Sequence, residues 1–427
     1  MTRLKNLMLE YTETTECLGF DAAHFKDIPM FRWYGARAYY NLAIERERIR
    51  RFIPPFARDD AQLWPFPVEE REEIRRMLFN WPQFLGIMAK MHVTRPEVSL
   101  LETPQIMFDN LEAWTEYTEK YWASLDISKL SAREIFDAEL KGVGDSKFLE
   151  NVVLPFSIYL YVLPSALKTL CASWFDDRDG KLHAALVSGL STKTGEENIA
   201  VWRLAEAIRQ SPELVRIVLS DSPPEAILRK VSESAAATGF LTLFDAFIRD
   251  YGHRGGAERD PIHPRYRHKP ENVFVPIQVM LRLGESGSPE VLERSLAERM
   301  KETRERCLEE LRQGPLGFVR APFFAWLVEV TQQYMYYRDF ERFYNDRNMS
   351  RPRDFLTHIG ARFVERGLIE DVEDIFFLGR EEIVLVDEGA LGAKDAKIRI
   401  RARRRVYTRY TGKEPPKYVQ GWRAFDD

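Results

Sequence analysis

One segment, residues 251–270, concentrates the side chains that could do chemistry. It reads Tyr251-Gly-His-Arg-Gly-Gly-Ala-Glu-Arg-Asp-Pro-Ile-His-Pro-Arg-Tyr-Arg-His-Lys-Pro270, and it holds three of the seven histidines of the chain. The paired glycines free the backbone, whereas the three prolines stiffen it. A stiff loop with five cationic and two acidic side chains is suited to binding an anionic group.

Two kinds of role are open to these side chains. Arg254 and Arg265 could grip a phosphoryl group through two parallel hydrogen bonds each. His253, Glu258 or Asp260 could accept a proton from a reacting hydroxyl. The alternative is a solvated loop in which arginine–carboxylate pairs only tie helices together.

A metal site is a weaker interpretation of the same segment. It would use His253, Glu258, Asp260 and His263 as ligands. Zinc sites prefer tighter spacings such as HExxH, and the neighbouring arginines would repel a cation. We therefore predict no metal in this chain.

A second candidate is a run of aromatic residues between positions 323 and 344. At helical spacing such a stripe usually belongs to a core. This one is rich in tyrosine, however, and each buried hydroxyl needs a hydrogen-bond partner. That composition favours a pocket for a flat, partly polar ligand, which we expect to be lined by Phe323, Trp326, Tyr334 and Tyr337.

The elements that must position these residues are predicted to be helices. Apolar stripes at helical spacing include Phe240, Phe244 and Phe247, and later Phe355, Ile359 and Phe363 with Gly367 just past the end of their helix. Caps support further helices, namely Thr194 with Glu197, and Ser288-Pro289 with Gly314-Pro315. One strand candidate stands out, Glu382 to Asp387. The fold is therefore predicted to be mainly α, a multi-helix substrate-binding module with at most a minor strand element.

The organisation of the chain is predicted to be simple. No long linker, repeat or low-complexity tract interrupts the 427 residues. We expect a single helical module over residues 1–427, in one piece or in two lobes of about 1–250 and 251–427.

The charge balance bears on the class of partner. Acidic and basic residues nearly cancel, 66 against 62, so no overall field favours nucleic acid. The run Lys397–Arg405 has six cations in nine residues and is expected to be a solvated or partner-facing surface.

Local sequence features bear on membrane contact, cellular compartment and nucleotide binding. The charge-free run Asn151–Leu167 is short for a membrane span and contains two prolines, so we expect a buried helix and no membrane contact. Cys17, Cys171 and Cys307 lie far apart, which favours a reducing, cytoplasmic setting. The sequence contains no GxxxxGK[ST] loop and no GxGxxG after a strand, so we expect the chain itself to bind no cofactor.

The segment at 251–270 also carries a family resemblance. Its Gly-His-Arg-Gly-x-x-Glu-x-Asp pattern, followed by Pro264-Arg265 and Pro270, resembles the middle region of the phosphoenolpyruvate-synthase-related, dikinase-type phosphotransferases. Three other stretches resemble the same region in the same order, namely Tyr39–Leu42, Leu186–Leu190 running on to Ala200–Ala205, and Ala361–Leu378. The chain departs from the pattern at Gly256, Ala257 and Tyr266, where proline, glycine and tryptophan are usual.

The resemblance implies a role in phosphoryl transfer. In that family an ATP-grasp domain phosphorylates a histidine on a swivelling domain, and the histidine delivers phosphate to an acceptor. The chain looks most like the acceptor-binding region of rifampicin phosphotransferase and phenylphosphate synthase. Because neither an ATP-grasp stretch nor a phosphohistidine motif is found in it, ATP and Mg²⁺ are expected on partner domains.

Two functions follow as expectations. The first is an acceptor-binding subunit or domain for an aromatic, phenol-like hydroxyl compound, with the phosphohistidine supplied in trans. Here Arg254 and Arg265 would contact phosphoryl oxygens, and Glu258 or His253 would orient the hydroxyl. The second is a helical adaptor that keeps the family's fold without its chemistry.

Overall fold

Helices dominate the computed structural model, which describes residues 31–34, 37–94, 103–142, 147–256, 260–283, 287–421 and 423–425. Strands occur as two short antiparallel hairpins. The first pairs Phe31–Tyr34 (β1) with Arg37–Tyr40 (β2), and the second pairs Tyr418–Gln420 (β3) with Arg423–Phe425 (β4). The prediction of a mainly α fold with a minor strand element is confirmed.

The chain divides into two compact units. The first comprises Met1–His183, Trp326–Tyr334 and Gly360–Asp427, and the second comprises Ala184–Ala325 and Met335–Ile359. The division does not fall at residue 250, since the second unit contains the chain on both sides of that position.

The first unit is built from the N-terminal and C-terminal helices. They are Leu42–Phe52 (α1), Asp60–Leu63 (α2), Val68–Arg76 (α3), Trp81–Thr94 (α4), Thr103–Ala123 (α5), Ala132–Gly142 (α6), Lys147–Phe175 (α7), Arg380–Asp387 (α17) and Ala393–Thr411 (α18). One of its cores gathers Ile49, Ile53, Leu63 and Phe66. No helix in the described part of the chain combines the length and apolarity that crossing a bilayer requires.

The second unit contains the middle helices. They are Lys193–Arg209 (α9), Pro212–Val218 (α10), Pro224–Glu233 (α11), Thr238–Tyr251 (α12), Phe274–Leu283 (α13) and Pro289–Gln313 (α14). The core places the predicted stripe of α12 against α9 and α13, with Leu204, Ile208, Phe240, Phe244 and Phe274 all buried.

Three helices have residues in both units. They are Lys181–Leu186 (α8), Gly317–Met349 (α15) and Arg351–Glu365 (α16). The predicted end of the last is confirmed, because Gly367 has a φ of 70°, a conformation that favours glycine.

Two local predictions were wrong. The segment Glu382–Asp387 is not a strand but most of helix α17. Its β-branched residues favour a strand locally, yet the Glu382 carboxylate accepts the Gly379 N–H at 2.8 Å and starts a helix. The cap of α9 is Thr192, whose hydroxyl accepts the Gly195 N–H, whereas Thr194 donates to Asp339.

Candidate functional site

The segment that follows α12 is a loop closed at its base. The Arg267 N–H donates to the Gly252 carbonyl at 2.8 Å, and the Tyr266 N–H donates to the Arg254 carbonyl at 2.9 Å. We call these two paired stretches, Gly252–Arg254 and Arg265–Arg267, the neck. A side chain at position 252 would place its Cβ 2.2 Å from the Ile248 carbonyl oxygen and 3.0 Å from the Cβ of Arg267. Glycine therefore allows the two stretches to approach closely.

The far side of the loop is held separately. The Asp260 carboxylate accepts the Ile262 N–H at 3.1 Å, which makes a local turn. Arg353 of α16, a buried side chain, donates to the carbonyls of Pro261 and Ile262, each at 2.8 Å. Glu258 lies outside the described residues.

Arg254 is buried and bound by acids from distant helices. Its Nε donates to Glu197 of α9 at 2.9 Å, and its Nη1 lies 3.4 Å from the Asp346 carboxylate of α15. Asp346 is only 1% exposed, and Arg342 lies 3.6 Å from the same carboxylate oxygen. The guanidinium of Arg254 is thus fixed in direction by two carboxylates before any ligand binds.

His253 is a neutral base in a positively charged setting. Its ring is 4% exposed and meets Phe343 edge-on at 4.6 Å. Burial and, to a smaller extent, the positive charges of Arg347, Arg254, Arg267 and Arg265 together lower its pKa to about 3. Within the described part of the chain, its Nε2 has no hydrogen-bond partner.

Arg265 is held through its backbone. Its side chain is 1% exposed, and its N–H donates to Nδ1 of His268 at 3.0 Å. The other ring nitrogen of His268, Nε2, lies 2.6 Å from the Asp354 carboxylate. Because Nδ1 accepts a hydrogen bond, Nε2 must carry the proton and donate it to Asp354. The two hydrogen bonds of the His268 ring therefore orient the second stretch of the neck, Arg265–Arg267.

The predicted catalytic residues are thus only partly brought together. His253, Arg254 and Arg265 share the neck, whereas Asp260 is exposed on the far side of the loop. No group of three or more histidine, cysteine or acidic side chains that could hold a metal ion is found among the described residues.

The four predicted aromatic residues are divided between the two units. Tyr334 is fully buried in the first unit, edge-on to Tyr159 at 5.7 Å, and Trp326 belongs to the same unit. Phe323 and Tyr337 belong to the second unit, where Phe323 is half exposed and Tyr337 packs against Phe340.

A cavity of about 480 Å³ lies in the second unit, where α14 ends and α15 begins. Its lining is apolar apart from one guanidinium and consists of Leu308, Arg312, Gly317, Phe318, Ala321, Pro322 and Ala325. Phe323 follows one of these residues directly in the chain.

Sequence reasoning missed the acids that complete the site. Glu197 was interpreted as a helix cap, and Asp346, Asp354 and Arg353 were not singled out. One signal was present for Asp346. It follows Phe343 by three residues, so it lies on the apolar face of its helix, where an acid needs a buried partner.

The fold and the site define a helical module with buried arginines arranged around a glycine-rich loop. Residues 153–339, which include that loop, match the family model described as the rifampicin phosphotransferase fourth domain. This match and the relatives below support the resemblance to the phosphoenolpyruvate-synthase-related phosphotransferases that the sequence predicted.

Individual relatives are distant. An uncharacterized phosphotransferase of Bacillus subtilis is 24% identical over 239 residues, covering 55% of this chain and 27% of the relative. The rifampicin phosphotransferase of Bacillus cereus is 24% identical over 256 residues, covering 58% and 29%. A prodigiosin synthesizing transferase of Serratia marcescens is 21% identical over 177 residues, covering 41% and 20%. The matched part of the chain thus corresponds to less than a third of each of these relatives.

Proposed function

We propose that this chain is the acceptor-binding part of an ATP-dependent, dikinase-type phosphotransferase. The acceptor is an aromatic, phenol-like hydroxyl compound, and the phosphate comes from a phosphohistidine on a partner domain. ATP and Mg²⁺ bind to an ATP-grasp partner. The main support is that the buried arginines Arg254 and Arg265 lie in the region that matches the rifampicin phosphotransferase fourth domain.

The arginines suit the charge of the reaction. Phosphoryl transfer has a loose transition state, so positioning and charge stabilisation contribute more than covalent chemistry. Charge on the moving group is spread over three oxygens, which a guanidinium fork matches. Glu197 and Asp346 hold Arg254 in place, so little reorganisation is needed when the phosphoryl group arrives.

The environment of His253 bears on which group accepts the proton of the acceptor hydroxyl. A phenol has a pKa near ~10, and a base of much lower pKa takes its proton poorly. Since the pKa of His253 is lowered to about 3, this ring is suited to accepting a hydrogen bond rather than a proton. In our proposal a carboxylate of the loop, Glu258 or Asp260, orients the hydroxyl instead.

The acceptor pocket needs apolar walls. The cavity at the start of α15, at about 480 Å³, falls within the usual range of roughly 300–1,000 Å³ for small-molecule sites. Of the predicted residues, Phe323 follows the lining residue Pro322 in the chain and is proposed to contribute to the wall, and Tyr334 remains a proposed contact. Trp326 and Tyr337 remain proposed contacts.

A second candidate is the adaptor without chemistry. One observation favours it: the Arg254 guanidinium is bonded to the carboxylates of Glu197 and Asp346 in the same unit, as in an ion pair that only joins helices. In that case the arginine would stabilise the fold and have no role in turnover.

Reconstitution with purified ATP-grasp and phosphohistidine partners, labelled ATP and a panel of phenols separates the two. We expect Arg254→Ala to lower turnover by on the order of a hundredfold or more, with a far smaller change in acceptor affinity. Arg254→Lys should recover only part of the rate, because an ammonium lacks the fork.

The matched control is Arg249→Ala, an exposed arginine on α12 that pairs with its neighbour Asp250. It should leave turnover unchanged. Thermal unfolding is measured on the same proteins, so that turnover is expressed per folded molecule. An Arg254→Ala protein that is destabilised yet fully active per folded molecule would support the adaptor and overturn the assignment.

A further inference from the structure

The arginines on the inner side of helix α18 are paired with acids. Arg399 and Arg403 both pair with Glu382, and Arg404 pairs with Asp374 at 2.5 Å. Burial of Ala396 and Ile400 fixes this side against the rest of the first unit. The acids available near the helix are therefore used on the inner side.

The outer side of α18 is different. Lys394, Arg401, Arg405 and Arg409 are all exposed, and their spacing places them on one face of the helix, which we call the basic face. Only Arg401 has an ion pair among the described residues, at 3.5 Å from Glu370. Cations four residues apart on a helix repel one another, so this arrangement opposes the helix that carries it.

Helix α14 presents the opposite charge. Glu298, Glu302, Glu305 and Glu309 are exposed at spacings of four, three and four residues, which forms an acidic face with the exposed cations Arg294 and Lys301 at one edge. Within the described residues, the one ion pair of this face joins Glu305 to Arg304 at 4.0 Å. The buried side of the helix, with Cys307, Leu308 and Leu311, lies opposite.

We propose that the basic face of one copy of this chain docks on the acidic face of α14 of a second copy. The two faces match in number of charges, and at about 1.5 Å per residue the acidic face spans about 16 Å against about 22 Å for the basic one. This inference is independent of the proposed function.

Apolar residues beside both faces can supply contact area. Ile398 and Val406 on α18 are about half exposed, and so are Val291 and Leu292 at the start of α14, at 63% and 60%. Exposed ion pairs contribute little to affinity alone, but opposite charges select the partner and orient it, while like charges exclude the wrong one.

A second copy is favoured over other occupants by what the chain itself contains. A nucleic-acid groove would use the cations but leave the apolar residues without a role, and it would not explain the acidic face. A membrane-bound helix needs a broad apolar face, whereas α18 exposes isolated apolar residues among arginines.

Sedimentation velocity over a wide concentration range tests the proposal, with two charge-reversed proteins. The first carries Arg405→Glu and Arg409→Glu, and the second carries Glu302→Arg and Glu309→Arg. We expect the unaltered chain to dimerise, more weakly at high salt, and each variant to dimerise at least about tenfold more weakly. The control Arg216→Glu with Arg229→Glu makes the same change of charge on other exposed positions and should dimerise normally.

The deciding experiment mixes the two variants. In the mixture, the unaltered basic face of the second protein meets the unaltered acidic face of the first, so a mixed dimer should form although neither variant dimerises well alone. Circular dichroism confirms that each variant is folded. A chain that stays monomeric, a dimer that ignores both variants, or a mixture that fails to associate would each overturn the proposal.

Discussion

The loop after α12 and the helix α18 are both rich in arginine, yet they place it in opposite environments. In the loop, Arg254 and Arg265 are 8% and 1% exposed. On the helix, Arg405 and Arg409 are exposed and have no ion pair among the described residues. Positive charge is denser on the helix, with eight cations in 19 residues against five in 20 residues of the loop. What differs is that the arginines of the loop are buried with their acids.

The comparison teaches where charge contributes to stability. An exposed ion pair is worth at most about 1 kcal/mol, whereas removing one partner of a buried pair leaves an uncompensated charge in a poor solvent. Loss of an acid that pairs with a buried arginine of the loop should therefore lower stability strongly. Loss of an acid that pairs with α18 should have little effect.

The largest effect is expected from Asp346→Asn. It removes the negative charge that faces Arg254 in the interior, and we expect the free energy of unfolding to fall by roughly 3–5 kcal/mol. For α18, the counterpart Glu370→Gln removes the partner of Arg401, and the free energy of unfolding should change by less than about 1 kcal/mol. Urea denaturation of both proteins is the measurement. Equal losses would show that burial is not what separates the two segments.

A smaller effect is expected where arginine binds the backbone. Arg353→Met removes two charged hydrogen bonds that hold only the far side of the loop, so the loss is confined to local opening of that segment. Local opening should then speed proteolysis near residues 260–264 by about tenfold or more. Arg403→Met removes a similar bond to the Phe377 carbonyl on an exposed helix and serves as the control. Cleavage that is no faster in Arg353→Met would mean that the neck alone holds the loop.

The smallest effect is the pH response of the two segments. The pKa of His253 is lowered to about 3 in the fold, so below pH ~6.5 the unfolded chain takes up a proton that the folded chain refuses. The free energy of unfolding should therefore fall by up to about 1.4 kcal/mol for each unit by which the pH is lowered in this window. Hydrogen bonding to Arg403 lowers the pKa of Glu382 to about 2, so the ion pairs between Glu382 and α18 weaken only below pH ~4.5.

Urea denaturation at pH 7, 6 and 5 tests this order, with His253→Gln as the variant. The variant should lose the slope that His253 contributes and keep the one from His183, whose pKa burial also lowers. Identical slopes in the two proteins would mean that the pKa of His253 is the same in the folded and the unfolded chain.

Local patterns predicted the helices well and the site only in part. The apolar stripes of α12 and α16 report burial directly, because one face of a helix must be apolar to pack. The strand prediction for Glu382–Asp387 is wrong because β-branched residues favour strands locally. The helix depends on a cap and on packing that lie outside these six residues. The partners of Arg254 lie 57 and 92 residues away, and no spacing rule links them in one sequence.

The neck has a consequence for how this loop can diversify. Its two backbone hydrogen bonds hold Arg254 and Arg265 in place whatever the length of the chain between them. Once a loop is closed at its base, each doubling of its length costs only about 0.6 kcal/mol of closure entropy. Insertions between Gly256 and Asp260 can therefore reshape what the loop recognises without moving its arginines, which makes this position a natural graft point for altered specificity.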